Sequence, residues 1–127
     1  SVPLLMDYRK HDFITGAVSH LPHVISASLV NLIKKEDTPD ELMKTIAAGG
    51  FKDITRISSS SPVMWQQICL TNRENILVLL DHYITTLQNI RKLIDDSTEQ
   101  EIFDFFKEAR DYRDSFVNTS SGPIKKT

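Results

Sequence analysis

The stretch Asn72-Arg-Glu-Asn-Ile-Leu-Val-Leu-Leu-Asp-His-Tyr-Ile-Thr-Thr-Leu-Gln-Asn-Ile-Arg-Lys-Leu-Ile-Asp-Asp96 decides the fold class. Within it Ile76, Leu80, Tyr83, Leu87, Ile90 and Ile94 recur at alternating steps of four and three, a coiled-coil-like seam. Leu77, Leu79, Ile84 and Leu93 add apolar positions off that seam, more than a helix wetted on one side needs. The pattern predicts a long central helix, buried on several faces or shared between two subunits.

The same period extends outward. From Asp7 to about Lys35, Ile14, Val18, Leu21, Ile25, Leu29, Leu32 and Ile33 form one helical stripe. Pro22 lacks a backbone donor and disfavours helix at Leu21, so a kink or break is predicted near His20–His23. Thr38-Pro39-Asp40-Glu41 reads as a helix start, and Gly49-Gly50 as the left-handed end of that helix. Ser61-Pro62 opens a further helix to about Leu70, and Ser97 or Thr98 caps a last one carrying Ile102, Phe106 and Ala109. After Asn118 the residues read as a frayed tail. No strand alternation or internal repeat competes with this pattern. The expectation is an all-α chain of five or six helices: residues 1–118 form one domain, 119–127 a linker or tail, and a helical homodimer uses the spare apolar surface.

Composition narrows the function. The 127 residues suit one domain with its own core, and 15 Lys+Arg against 17 Asp+Glu leave a net charge of -2. No basic field offers itself to nucleic acid. Cys69 is the single cysteine, so neither a disulfide framework nor a cysteine-based zinc site is available; a small buried hydrophobe is its simplest role. The four glycines, at 16, 49, 50 and 122, form no phosphate-cradling loop, so no dinucleotide site is expected within the chain. No uninterrupted apolar run reaches the length of a membrane span and no signal peptide is visible, which makes a cytoplasmic setting the default. Ser1 stands where a Met would start a complete chain, so a processed or excised piece is expected.

Two places carry chemistry. In Ser19-His-Leu-Pro-His23 the histidines are three apart, but Pro22 spoils a shared metal geometry and no carboxylate lies within a turn. One histidine lining a polar pocket and the other held structurally is the preferred reading, with no metal. His11-Asp12 superficially suits a metal-dependent phosphohydrolase but lacks further ligands, and His82 beside Asp81 reads as helix surface. The second place is Gly49–Ser61, which has no sustained period and reads as a functional loop. There Arg56, between Ile54 and Ile57, would be partly desolvated, with a guanidinium fork suited to a carboxylate or phosphate. The alternative is an internal Asp53–Arg56 pair bracing the loop. Met64 and Trp65 follow closely, as core or as ligand contacts.

Ser19-His-Leu-Pro-His23, Ala48-Gly-Gly-Phe-Lys-Asp-Ile-Thr-Arg-Ile-Ser58, Ser60-Ser-Pro-Val-Met-Trp65 and Asn72-Arg-Glu-Asn75, in this order, strongly resemble the C-terminal helical domain of prephenate dehydrogenase. His11-Asp12 falls where that family has a His-Asp pair, and the resemblance runs from about Tyr8 to Arg113. It implies an intertwined helical homodimer, of the kind seen in the C-terminal domain of phosphogluconate dehydrogenase. The Rossmann domain that binds NAD and carries the catalytic histidine would precede this chain. A regulatory ACT domain follows in some members.

The resemblance implies oxidation of prephenate with NAD+ and loss of CO2, on the route to tyrosine. Arg56 matches the arginine that grips a substrate carboxylate, and His23 the histidine lining the pocket for prephenate or inhibitory tyrosine. Asp53 corresponds to a pocket-edge acid. Gly50, with Gly49, would allow close backbone approach, and Met64 and Trp65 would be pocket walls. Ser19 and His20 are structural or pocket residues. The fragment alone is expected to be inactive. Alternatives are an arogenate or cyclohexadienyl dehydrogenase, and a non-catalytic helical interaction module.

Overall fold

A computed structural model describes residues 7–125, with side chains as far as Phe116. Its elements are α1 (Tyr8–Thr15), a π-helical turn (Gly16–His20), α2 (Leu21–Glu36), α3 (Leu42–Ile46), α4 (Gly49–Thr55), a 3-10 turn (Arg56–Ser58), α5 (Pro62–Thr71), α6 (Arg73–Asp96) and α7 (Glu99–Lys125). No strand occurs among the described residues, so the all-α expectation holds. α1, the π turn and α2 run on as one rod, giving six helical segments.

The rod does not break at Pro22. The widened turn just before it absorbs the proline: Leu21 donates its amide to the Gly16 carbonyl, five residues back, and Pro22 enters α2 in its first turn, where a missing donor costs little. Tyr8–Glu36 is thereby long and apolar enough, by length and composition, to cross a membrane, which a count of uninterrupted apolar runs did not reveal. α2 packs on α4 and on the 3-10 turn and buries Ser26, but only 17% of the apolar stretch is buried.

Two expected boundaries move. Thr38-Pro39 forms a turn rather than a helix start, and α3 begins at Leu42 after Glu41, which adopts a left-handed φ of 59°. The capping group is Asp37, whose carboxylate accepts from the amides of Met43 (2.9 Å) and Lys44 (3.1 Å). Desolvation pushes the Asp37 carboxyl up, but those amides, with that of Thr38, hold it below the usual carboxylate range. Gly49-Gly50, expected to end a helix, instead begins α4, and neither glycine takes a positive φ. The supposed loop Gly49–Ser61 is therefore mostly helical, because extended Ala48 lets the chain restart at once.

The other caps fall where expected. Ser61 accepts from the Met64 amide at 3.2 Å with Pro62 behind it, opening α5. Thr98 and Glu101 form a reciprocal capping box at the start of α7. α7 runs to Lys125, beyond Asn118 where a tail was predicted; Pro123 removes only one donor from a long hydrogen-bond ladder, and residues 126–127 lie outside the described part.

The chain forms two compact units, the first ending at Tyr83 and the second beginning at Ile84. In the first, α6 crosses the rod at Gly16, where an added Cβ would stand 3.1 Å from both Leu79 Cδ1 and Asn72 Nδ2. Leu79 and Ile76 are the only buried apolar side chains among the described residues, so the self-sufficient core expected from length is missing. In the second unit Ile94, Phe103, Phe106, Tyr112 and Phe116 are all more than half exposed. Gly16→Val should cost roughly 1–3 kcal/mol, the usual penalty of overpacking. Urea denaturation of both proteins measures it.

Candidate functional site

The site grows from the π turn. Widening the helix between Gly16 and His20 turns His20 and His23 toward α5, and α5 brings Trp65 between them. The His23 ring stacks on Trp65 at 3.7 Å and 21°, while His20 meets the same indole near-perpendicularly at 5.9 Å. His23 Nδ1 lies 3.0 Å from the Ser19 carbonyl oxygen. A carbonyl only accepts, so Nδ1 carries the proton and Nε2 of the neutral ring keeps a lone pair. Ser19 contributes through its backbone.

His23 and Trp65 form one wall of a cavity of about 360 Å³. Ile57, Ser58, Ser60 and Ser61 form a further wall, and Asn31 and Cys69 also line the cavity. Hydroxyl donors tie that wall in place: Ser58 Oγ donates to the Thr55 carbonyl at 2.7 Å and Ser60 Oγ to that of Ile57 at 2.5 Å. Their hydrogens point into the protein, so their oxygens remain as acceptors. Trp65 Nε1 is buried without a hydrogen-bond partner.

A second cavity, of about 350 Å³, lies beside His20 and is lined by His11, Asp12, Thr15, Met64 and Asn72 among others. Asn72 Nδ2 reaches the Asp12 carbonyl oxygen at 3.0 Å and His20 Nδ1 at 3.1 Å. Burial lowers the His20 pKa below its ordinary value; His23 adds to this and Asp12 opposes it. Both histidines thus line a cavity and both are hydrogen-bonded, where the sequence divided those roles between them.

The remaining candidates scatter. Arg56 is exposed and makes no ion pair among the described residues; it stands one residue before the cavity wall. Asp53 is exposed too and no Asp53–Arg56 ion pair is among those formed by the described residues, and Ile54 at 60% exposure does not desolvate the guanidinium. Met64 faces the second cavity, apart from Trp65. A Cβ on Gly50 would meet no protein atom within 4 Å. His11 and Asp12 pair at 3.9 Å on the surface. Among the described residues no three His, Cys, Asp or Glu side chains gather as metal ligands. Asn72 carried no role in the sequence reading, because its partners stand some fifty to sixty residues away.

The family described as prephenate dehydrogenase, dimerization domain, matches residues 7–108, a span that contains both cavities. The chain belongs to that family. Over 119 residues it is 41% identical to a prephenate dehydrogenase of Bacillus subtilis, covering 94% of this chain and 32% of that protein. A cyclohexadienyl dehydrogenase of Zymomonas mobilis is 36% identical over 113 residues, 86% of this chain and 38% of that one. Among solved structures, the prephenate dehydrogenase of A. aeolicus in complex with hydroxyphenyl propionate and NAD+ superposes with a TM-score of 0.82 at 35% identity. That match covers 87% of this chain and 39% of that one. The chain therefore spans about a third of the length of its curated prephenate dehydrogenase relative.

A histidine kept neutral in the fold makes stability depend on pH. With the folded pKa of His20 below its unfolded value, the unfolded chain binds more protons, so stability rises with pH. His20's contribution is complete above about pH 6.5 and is lost as pH falls below it. Urea midpoints should therefore drop between about pH 7.5 and about pH 5.5, and drop less in His20→Gln.

Proposed function

We propose that this chain is the dimerisation and substrate-side part of an NAD-dependent enzyme that oxidises prephenate to 4-hydroxyphenylpyruvate and CO2. The supporting observation is the cavity walled by the His23–Trp65 stack, inside the stretch that matches the family. In the reaction a base takes the ring hydroxyl proton as hydride leaves the same carbon for NAD+. Loss of the ring carboxylate then gives the aromatic product. A protein must supply a base, anchors for two carboxylates and a posed nicotinamide.

The anchors fall to this chain. Arg56, with no acid paired to it, is free to take a substrate carboxylate in a bidentate, charge-assisted pair. His23 offers its Nε2 at the cavity wall, Trp65 the flat apolar surface against the ring, and Asp53 and Met64 the approaches. Tyrosine, alike in shape to the product, fits the same cavity as an inhibitor. NAD+ and the base are assigned to a part of the enzyme outside this chain, which spans about a third of the length of its Bacillus subtilis relative. Large exposed apolar side chains, among them Leu77, Val78, Leu87, Phe103 and Phe106, are to be covered in a homodimer of a cytoplasmic enzyme.

Arogenate is the second substrate to test, since the Zymomonas relative is a cyclohexadienyl dehydrogenase. NADH formation by the full-length protein should depend on prephenate, and Arg56→Ala should raise KM for it at least about tenfold, the size of a lost charged hydrogen bond. An unchanged KM would return Arg56 to a structural role. Turnover of arogenate alone would reassign the substrate, and silence on both would favour a helical interaction module.

A further inference from the structure

We propose that Asn72 is a positioning residue that locks His20 as its neutral Nε2–H tautomer and, through His20 and Trp65, holds the His23 ring on the cavity wall. The geometry leaves little choice. The Asp12 carbonyl oxygen only accepts, so the Asn72 atom 3.0 Å from it is the amide nitrogen. The second hydrogen on that nitrogen meets His20 Nδ1 at 3.1 Å, which must present a lone pair. Asn75 Nδ2 closes the arrangement by donating to Asn72 Oδ1 at 2.9 Å. His23, with Nδ1 against the Ser19 carbonyl, holds the opposite tautomer. Two histidines one helical turn apart thus present different free groups, a donor on His20 and an acceptor on His23, both against one indole.

Gly16 is part of the device: an added Cβ would press on Asn72 Nδ2 and Leu79 Cδ1 at 3.1 Å, so glycine leaves Asn72 the room to sit this close to the rod. The titratable groups around His20 are His11 and Asp12 on α1 and His23 on α2. Trp65 of α5 and Asn72 just after it contact His20, and Met64, Gln67 and Thr71 of α5 line the same cavity; none of these is charged. A proton on His20 Nδ1 would oppose the Asn72 hydrogen, so charging the ring and keeping this contact exclude each other.

The inference rests on the proposed substrate reading only for its kinetic arm. In the full-length protein, 15N imidazole spectra should show His20 protonated at Nε2 alone. In Asn72→Asp, a carboxylate facing Nδ1 should move the proton there and carry the His20 midpoint above its wild-type position. In that variant the acid limb of kcat/KM for prephenate should move to higher pH, with KM raised about tenfold near neutrality, the effect of a lost hydrogen bond. A wild-type His20 protonated at Nδ1 overturns the proposal, and so does an Asn72→Asp protein whose His20 titrates as before. The wild-type spectrum needs no variant and no turnover, so it decides the tautomer even if Asn72→Asp does not fold or prephenate proves not to be the substrate.

Discussion

The chain is short of interior. Ile76 and Leu79, both on α6, are the only apolar side chains fully buried among the described residues. Burial of apolar surface is the main term set against chain entropy, at about 25 cal/mol per Å². Two such residues do not stabilise six helical segments. Apolar groups stand open along α6, at Leu77, Val78, Ile84, Leu87 and Ile94, and along α7, at Phe103, Phe106, Tyr112 and Phe116. The chain belongs to the family described as prephenate dehydrogenase, dimerization domain, and a second copy is the partner proposed to cover this surface.

What interior there is fixes the site. Gly16 lets α6 approach the rod closely enough for Leu79 to be buried there, and the same approach delivers Asn72 to Asp12 and His20. The π turn that starts at Gly16 absorbs Pro22 and turns the two histidines to Trp65. Packing, tautomer and cavity wall therefore share one crossing, and a change at Gly16 reaches all three.

The parts legible in the sequence were those governed by local chemistry. α6 follows from its heptad spacing, and Ser61-Pro62 and Thr98 cap helices where hydroxyl and proline chemistry places them. Legibility failed where a distant or unexpected partner decided the outcome. Asp37 caps α3 through the Met43 amide six residues on, a reach that the local Thr38-Pro39 helix-start signal conceals. Gly49-Gly50 looked like an ending because glycine tolerates a left-handed turn, yet both residues are right-handed and helical. His20 and His23 were recognised as a pair, but the tautomer of His20 depends on Asn72, fifty-two residues away. Arg56 reads in the sequence as a carboxylate anchor or as half of an Asp53–Arg56 brace; that the two do not pair appears only in three dimensions, and neither lines the His23–Trp65 cavity.

Sedimentation equilibrium of this 127-residue chain, with helical content followed by circular dichroism over the same concentrations, addresses the missing core directly. A dimer is expected, with helicity lost as dilution separates the two copies. A monomer that keeps its full helicity and unfolds cooperatively would mean that the exposed apolar faces of α6 and α7 need no second copy.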